Sequence, residues 1–235
     1  SDFLLEQPHG GFFASTDIYA SLGDIIPKAV ADTEINTAIL LSDGDTYLHK
    51  NRQRKMIGDW TKNNAGSVAL YCIASGEGNN LSLLRLISFF NKGALHYTPT
   101  HSGLDKALLN LLNTTRIPIG KDISITAIPS DEDAVITLLP CKDMLPNLYK
   151  DQSYVIYGTT SSLSPFHLFI QGRYYDKWLD IREELTFSTP EPRRDTIEKP
   201  LHALNSYNNF YRYLVNDDEG NMMAIQKQFN ALIQQ

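Results

Sequence analysis

Ser75-Gly76-Glu77-Gly78 follows an apolar run and precedes a helical pattern. That is where a dinucleotide-binding strand turns its glycines towards a pyrophosphate. The third glycine of the fingerprint is absent, because Leu81 stands in its place. No Gly-x-Ser-x-Gly, phosphate loop or His-Glu-x-x-His occurs, so the sequence shows no nucleophile elbow, nucleotide cradle or zinc helix of those types. The six histidines (His9, His49, His96, His101, His167 and His202) are scattered. His96 and His101 flank one strand end, but no cysteine or carboxylate cluster accompanies them, so they read as surface or turn residues. Cys72 and Cys141 each sit in or beside an apolar run, in different expected domains. Two buried thiols are expected there, not a disulfide.

The composition narrows the function classes. With 42% hydrophobic and 20% charged residues the chain is globular in type. Its net charge of -6 argues against sequence-independent nucleic-acid binding, which needs a basic footprint. The one basic cluster, Lys50 to Lys55 (KNRQRK), reads as the solvated face of a helix. No apolar run approaches the ~20 residues that span a bilayer, and the opening SDFLLEQPHGG has neither the basic region nor the apolar core of a secretory signal.

The elements that position any site follow from periodicity. Thr16–Ala31 has apolar residues at helical spacing, capped by Ser15 or Thr16 and kinked or shortened by Pro27. Thr37–Ser42 is a buried strand closed by a turn at Asp43-Gly44-Asp45. Helix Arg52–Asn63, strand Ser67–Ala74, helix Leu81–Asn91, strand Leu95–Thr98 and helix Gly103–Leu112 then alternate, which implies a parallel sheet in an α/β layer. Beyond Thr114 the rhythm changes to short runs (Asp122–Ile128, Ala134–Leu139, Ser153–Tyr157, His167–Gln171) punctuated by proline and glycine. That pattern predicts a small antiparallel β-sandwich. A polar linker, Glu191–Asp195, precedes a helical segment from Lys199 whose aromatics Tyr207, Phe210, Tyr211 and Tyr213 form a packing face, and a last helix spans Met222–Ile233. The division is residues 1–115, α/β; 116–190, β-sandwich; and 191–235, helical tail.

Several consecutive segments carry a family resemblance. Ala14–Leu22 (ASTDIYASL) resembles the Gly-Gly-Thr-Asp-Ile segment that opens a helix in von Willebrand factor A domains. Thr37–Asp45 (TAILLSDGD) resembles that family's strand ending in Thr-Asp-Gly-Glu, and Val68–Leu84 its next strand, turn and helix. Gly93–Leu109 is similar to the closing strand and helix. Leu139-Pro140, Leu145–Lys150 and Val155–Thr160, with Ile197-Glu198-Lys199 and the helices after it, resemble the segments after the A domain in relatives of inter-alpha-trypsin inhibitor heavy chains. The resemblance implies a Rossmann-like parallel sheet, partial here. The family's Asp-x-Ser-x-Ser element has no counterpart before Ala14, and Asp122–Thr126 (DISIT), which has its spacing, reads as a plain strand in the β region.

By that resemblance the chemistry is a metal-ion-dependent adhesion site. Mg²⁺ (or Mn²⁺ or Ca²⁺) takes oxygen ligands, and a partner's acidic side chain completes its shell. The resemblance assigns Thr16 a hydroxyl ligand, direct or through water, and Asp43 a carboxylate ligand. Read from the residues alone, Thr16 is equally a helix N-cap and Asp43-Gly44 a strand-end turn; Asp45 stands where the family often has Glu, which by resemblance leaves an outer-shell role open, but it reads as a solvated turn residue. Two such side chains are too few to hold the ion tightly. A sheet lacking its central strand also exposes unpaired N–H and C=O groups, so an N-terminal fragment of the same precursor is expected to stay associated, or the half-sheet pairs with something else. The expected function is a non-enzymatic, adhesion-type protein-binding module, extracytoplasmic by analogy, with no nucleic acid and no membrane span. A structural assembly subunit with a vestigial metal site is the alternative.

Overall fold

The computed structural model describes residues 18–23, 25–27, 34–44, 50–187, 194–216 and 225. Its first part alternates helix and strand: α1 (Ile18–Gly23), β1 (Asn36–Leu41), α2 (Lys50–Asn64), β2 (Val68–Ser75), α3 (Leu81–Phe90), β3 (Leu95–Thr98) and α4 (Leu104–Thr115). The three strands form a parallel sheet in the order β1-β2-β3.

β2 explains the layering. Seven of its eight residues are buried, as expected of a strand covered on both faces. Successive side chains point to opposite faces. Leu70, Cys72 and Ala74 join the larger core with α1, α2 and α3, while Ala69, Tyr71 and Ile73 meet Leu111 of α4. Gly93 opens the approach to β3: a Cβ there would lie 1.9 Å from the Leu70 carbonyl oxygen.

The second part holds β4 (Pro118–Pro129), β5 (Ile136–Leu139), β6 (Leu148–Tyr149), β7 (Tyr157–Thr160), β8 (Phe166–Tyr174) and β9 (Lys177–Leu185). They make a four-stranded sheet in the order β6-β4-β8-β9 and a two-stranded sheet, β5-β7, with every pair antiparallel. The DISIT segment lies in β4, as expected of a plain strand, with a register shift between Lys121 and Ser124 and Asp122 at φ 52°.

Several elements differ from the expectation: α1 ends at Gly23, β4 starts at Pro118, β5 starts at Ile136 and β8 runs on to Tyr174. The run Ser153–Tyr157 is a strand only from Tyr157. Tyr154 explains why, since its hydroxyl donates to the Asn147 carbonyl at 2.9 Å and accepts from the Tyr149 amide at 2.8 Å, folding the segment back as a loop. β9 is a strand that periodicity did not mark. Of the expected linker, Arg194 and Asp195 already belong to helix α5 (Arg194–Asn216), and 191–193 lie outside the described residues.

α5 is part of the main core. Tyr207 lies 5.3 Å from Phe89, and Phe210 and Tyr211 lie 6.0 and 5.6 Å from Phe90, centroid to centroid. These are the separations of attractive ring pairs. Met144 is buried in the same cluster and Cys141 packs against it, so the turn after β5 and α5 both close on the α/β layer. Of the expected last helix, Ile225 is helical and buried and the rest lies outside the described residues. Among the described residues no helix is long and apolar enough to cross a membrane.

Candidate functional site

In an open parallel sheet the loops at the carboxyl ends of the strands form the binding edge. Here these are Ser42-Asp43-Gly44 after β1, Ser75–Gly78 after β2 and the stretch from Thr98 to His101 after β3. Backbone hydrogen bonds join them. The Asn80 amide donates to the Asp43 carbonyl at 2.7 Å, the Ser42 amide to the Ile73 carbonyl at 3.2 Å, and the Gly76 amide to the Thr98 carbonyl at 3.1 Å.

Asn80 fixes the first loop. Its side chain caps α3 by accepting the Leu83 amide at 3.2 Å, and its Nδ2 donates to Gln53 Oε1 of α2 at 3.3 Å. Gly44 seats the loop against this cap. It is buried at φ +71°, and an added Cβ would lie 2.9 Å from both the Asn80 carbonyl oxygen and Leu84 Cγ. Asp43 is thereby held at the exposed rim, beside Ser42, whose hydroxyl accepts the Gly44 amide at 3.0 Å.

The second and third loops are pinned by side chains. Ser75 Oγ and His101 Nδ1 lie 2.6 Å apart, the Tyr97 hydroxyl donates to the Gly76 carbonyl at 2.9 Å, and Asn79 Nδ2 donates to the Ser75 and Gly76 carbonyls. His101, expected as a plain surface or turn residue, opens a 3-10 turn over His101–Gly103 and ties it to the end of β2. The serine and imidazole can share a proton. The neighbouring Gly76 amide is committed to the Thr98 carbonyl. His96 stays on the sheet face, 6.3 Å from the Tyr71 ring, and burial lowers its pKa. Burial, reinforced by the neighbouring Tyr149, pushes the Tyr71 phenol far above its ordinary range.

Of the two residues assigned to a metal, Asp43 lies at this edge and Thr16 lies outside the described residues, as do Ser15 and Asp45. No group of three or more His, Cys, Asp or Glu side chains suited to a metal ion exists among the described residues. At the first loop they supply one carboxylate and one hydroxyl already engaged with an amide, short of the six oxygens Mg²⁺ requires. The described residues alone do not fit the ion.

A cleft of about 510 Å³ lies where the α/β layer meets β4 and α5. Lys92 and Asp122 face each other across it at 3.4 Å, both at positive φ, with Lys142, Asp143 and Tyr211 along the wall. No spacing rule joins residues 92 and 122, and sequence reading missed the pair.

No protein-family model matches the chain, and no curated protein matches it. Among solved structures it is similar to a von Willebrand factor type A protein from Catenulispora acidiphila, with 14% identity, a TM-score of 0.49, and coverage of 81% of this chain and 50% of that one. It is also similar to the ArnB paralog VWA2 from Sulfolobus acidocaldarius, with 16% identity, a TM-score of 0.38, and coverage of 83% and 54%. The chain thus spans about half the length of each.

Proposed function

We propose that this chain is a protein-binding module that presents the carboxyl ends of β1, β2 and β3 to its partner. One observation carries the reading: the three strand-end loops are polar, contiguous and tied to one another by backbone hydrogen bonds. A preorganised edge binds without first paying the entropy of ordering its loops. Asp43 at the exposed rim supplies the charge.

The metal-dependent form of this recognition is a narrower proposal. It requires Thr16, Asp43 and further oxygen donors from a segment beyond the described residues, with Mg²⁺ bridging to a partner's acidic side chain. Native mass spectra with and without Mg²⁺ separate the two forms. A retained ion that Asp43→Ala removes supports the metal form, and a chain indifferent to Mg²⁺ leaves the metal-independent edge alone.

The edge itself is tested by panning a random peptide library on the immobilised chain. Binders that lose affinity on Asp43→Ala and slow hydrogen exchange in residues 42–44, 75–80 and 98–103 support the proposal. Binders that ignore Asp43→Ala and protect other regions would overturn it.

One observation favours a structural assembly reading instead. Among the described residues β1 pairs only with β2, which leaves its other edge able to accept a strand. Peptides that protect the β1 amides and are indifferent to EDTA would favour assembly along that edge.

A further inference from the structure

β9 is the outermost strand of the four-stranded sheet, and among the described residues it pairs only with β8. The pairing runs through all nine residues without a register shift, and the strand contains no proline. Neither a bulge nor a missing N–H therefore blunts its outer edge, and such an edge is a template for another strand. Eight of its nine residues are exposed, Leu179 being half-buried.

The two faces differ. Ile181 and Leu185 stand opposite Ile170 and Phe166 of β8 and, with Leu179, make an apolar stripe that Glu183, opposite Leu168, interrupts and Lys177 ends. Trp178, Asp180, Arg182 and Glu184 occupy the other face. There Asp180 accepts from Arg182 Nη2 at 2.7 Å and from Nε at 3.1 Å. The Arg173 guanidinium lies 5.1 Å from the ring of Trp178, which is 74% exposed.

We propose that β9 docks antiparallel against β9 of a second copy of this chain, about a two-fold axis that passes between the two copies of Ile181, joining the two sheets into one. The charge sequence selects both the occupant and the register. A two-fold axis perpendicular to the sheet keeps the same face of both copies on one side, so the central residue of β9 stands opposite its own copy. Centring it on Asp180, Arg182 or Glu183 sets that charge against its own copy. Centring it on Leu179 carries Arg182 past the end of the opposing strand. Centring it on Ile181 puts Asp180 opposite Arg182 of the second copy, twice, and Ile181 against itself on the apolar side. Each Asp180 then lies between two guanidiniums, its own and the other copy's. Leu179 faces Glu183, and Trp178 faces Glu184. Opposite charges directly across a sheet stabilise the pairing, and like charges oppose it.

Sedimentation velocity over a concentration series tests this on the 235-residue chain. The expected result is a reversible monomer–dimer equilibrium. Asp180→Arg sets cation against cation and is expected to weaken the dimer at least ~10-fold, since like-charge juxtaposition is costly. Asp180→Arg combined with Arg182→Asp restores complementarity and is expected to restore the dimer. A chain that stays monomeric up to its solubility limit overturns the proposal, as does a dimer indifferent to Asp180→Arg or a double variant that fails to recover. Should the single variant unfold, hydrogen exchange on the unaltered chain decides instead. Amides of β9 protected in the dimer and released on dilution support the docking, and equal exchange in both overturns it.

Discussion

Asn64, which ends α2, donates from Nδ2 to Oδ1 of Asn91, which follows α3, at 2.9 Å, and both side chains are buried. Asn64 also donates to the Val68 carbonyl and accepts its amide at 2.9 Å each, and Asn91 donates to Thr61 Oγ1 at 3.0 Å and to the Ile87 carbonyl at 2.8 Å. Two helix ends and the start of β2 are thereby clamped by amides that leave few groups unpaired. Removing one member strands the others in a dry site. Asn64→Leu is expected to destabilise the fold by ~2–4 kcal/mol, since each orphaned buried polar group costs ~1–3 kcal/mol. Urea unfolding checks this, and a loss under about 1 kcal/mol would show that water already reaches the network.

Gly44 links stability to the proposed binding edge. At φ +71° and with no room for a Cβ beside Asn80 and Leu84, it is the position where a side chain is least tolerated in that loop. Gly44→Ala is expected to cost ~1–3 kcal/mol through backbone strain, and to shift Asp43 off its hydrogen bond with Asn80. Thermal melts and exchange of the Asn80 amide report the two effects separately. An unchanged Asn80 amide would show that the loop absorbs the methyl elsewhere.

The sheet was legible and much of the site was not, for physical reasons. β2 and α3 could be read because a strand buried on both faces is continuously apolar and α3 has one apolar side, as in SVALYCIA and LSLLRLISFF. β9 escaped because KWLDIREEL is an edge strand, almost entirely solvated, and its Trp178, Ile181 and Leu185 also fit a helical repeat. Ser75 and His101 are 26 residues apart, and only the α3 crossover brings them together. The end of α2 was visible, placed at Asn63 against Asn64 in the structure, but the Asn64–Asn91 contact was not, because a contact between two helix ends leaves no periodic trace.

The two cysteines give a test of the packing. Cys72 is fully buried in β2, and burial raises its thiol pKa to about 12, offset in part by the Ser88 hydrogen bond. Burial also raises that of Cys141, which packs against the same core. Both are free thiols, and thiolate is the reactive form. Ellman's reagent on the native chain is therefore expected to spare Cys72 and modify Cys141 slowly, with both reacting on unfolding. Prompt modification of Cys72 in the native chain would mean that β2 is open to solvent.

His96 makes the fold sensitive to acid. Burial on the sheet face beside Tyr71 lowers its pKa below the ordinary 6.5. The folded state therefore binds its proton less readily than the unfolded chain does. The contribution of His96 to stability is fully present above pH 6.5 and is lost as the pH falls towards the depressed folded pKa. His96→Gln removes this dependence but keeps a polar side chain of similar reach. Urea midpoints on either side of pH 6.5 are expected to differ more for the unaltered chain than for the variant, by a modest amount because the ring is only half-buried. Equal acid sensitivity in both chains would assign the loss to the carboxylates and leave His96 solvated in the folded state.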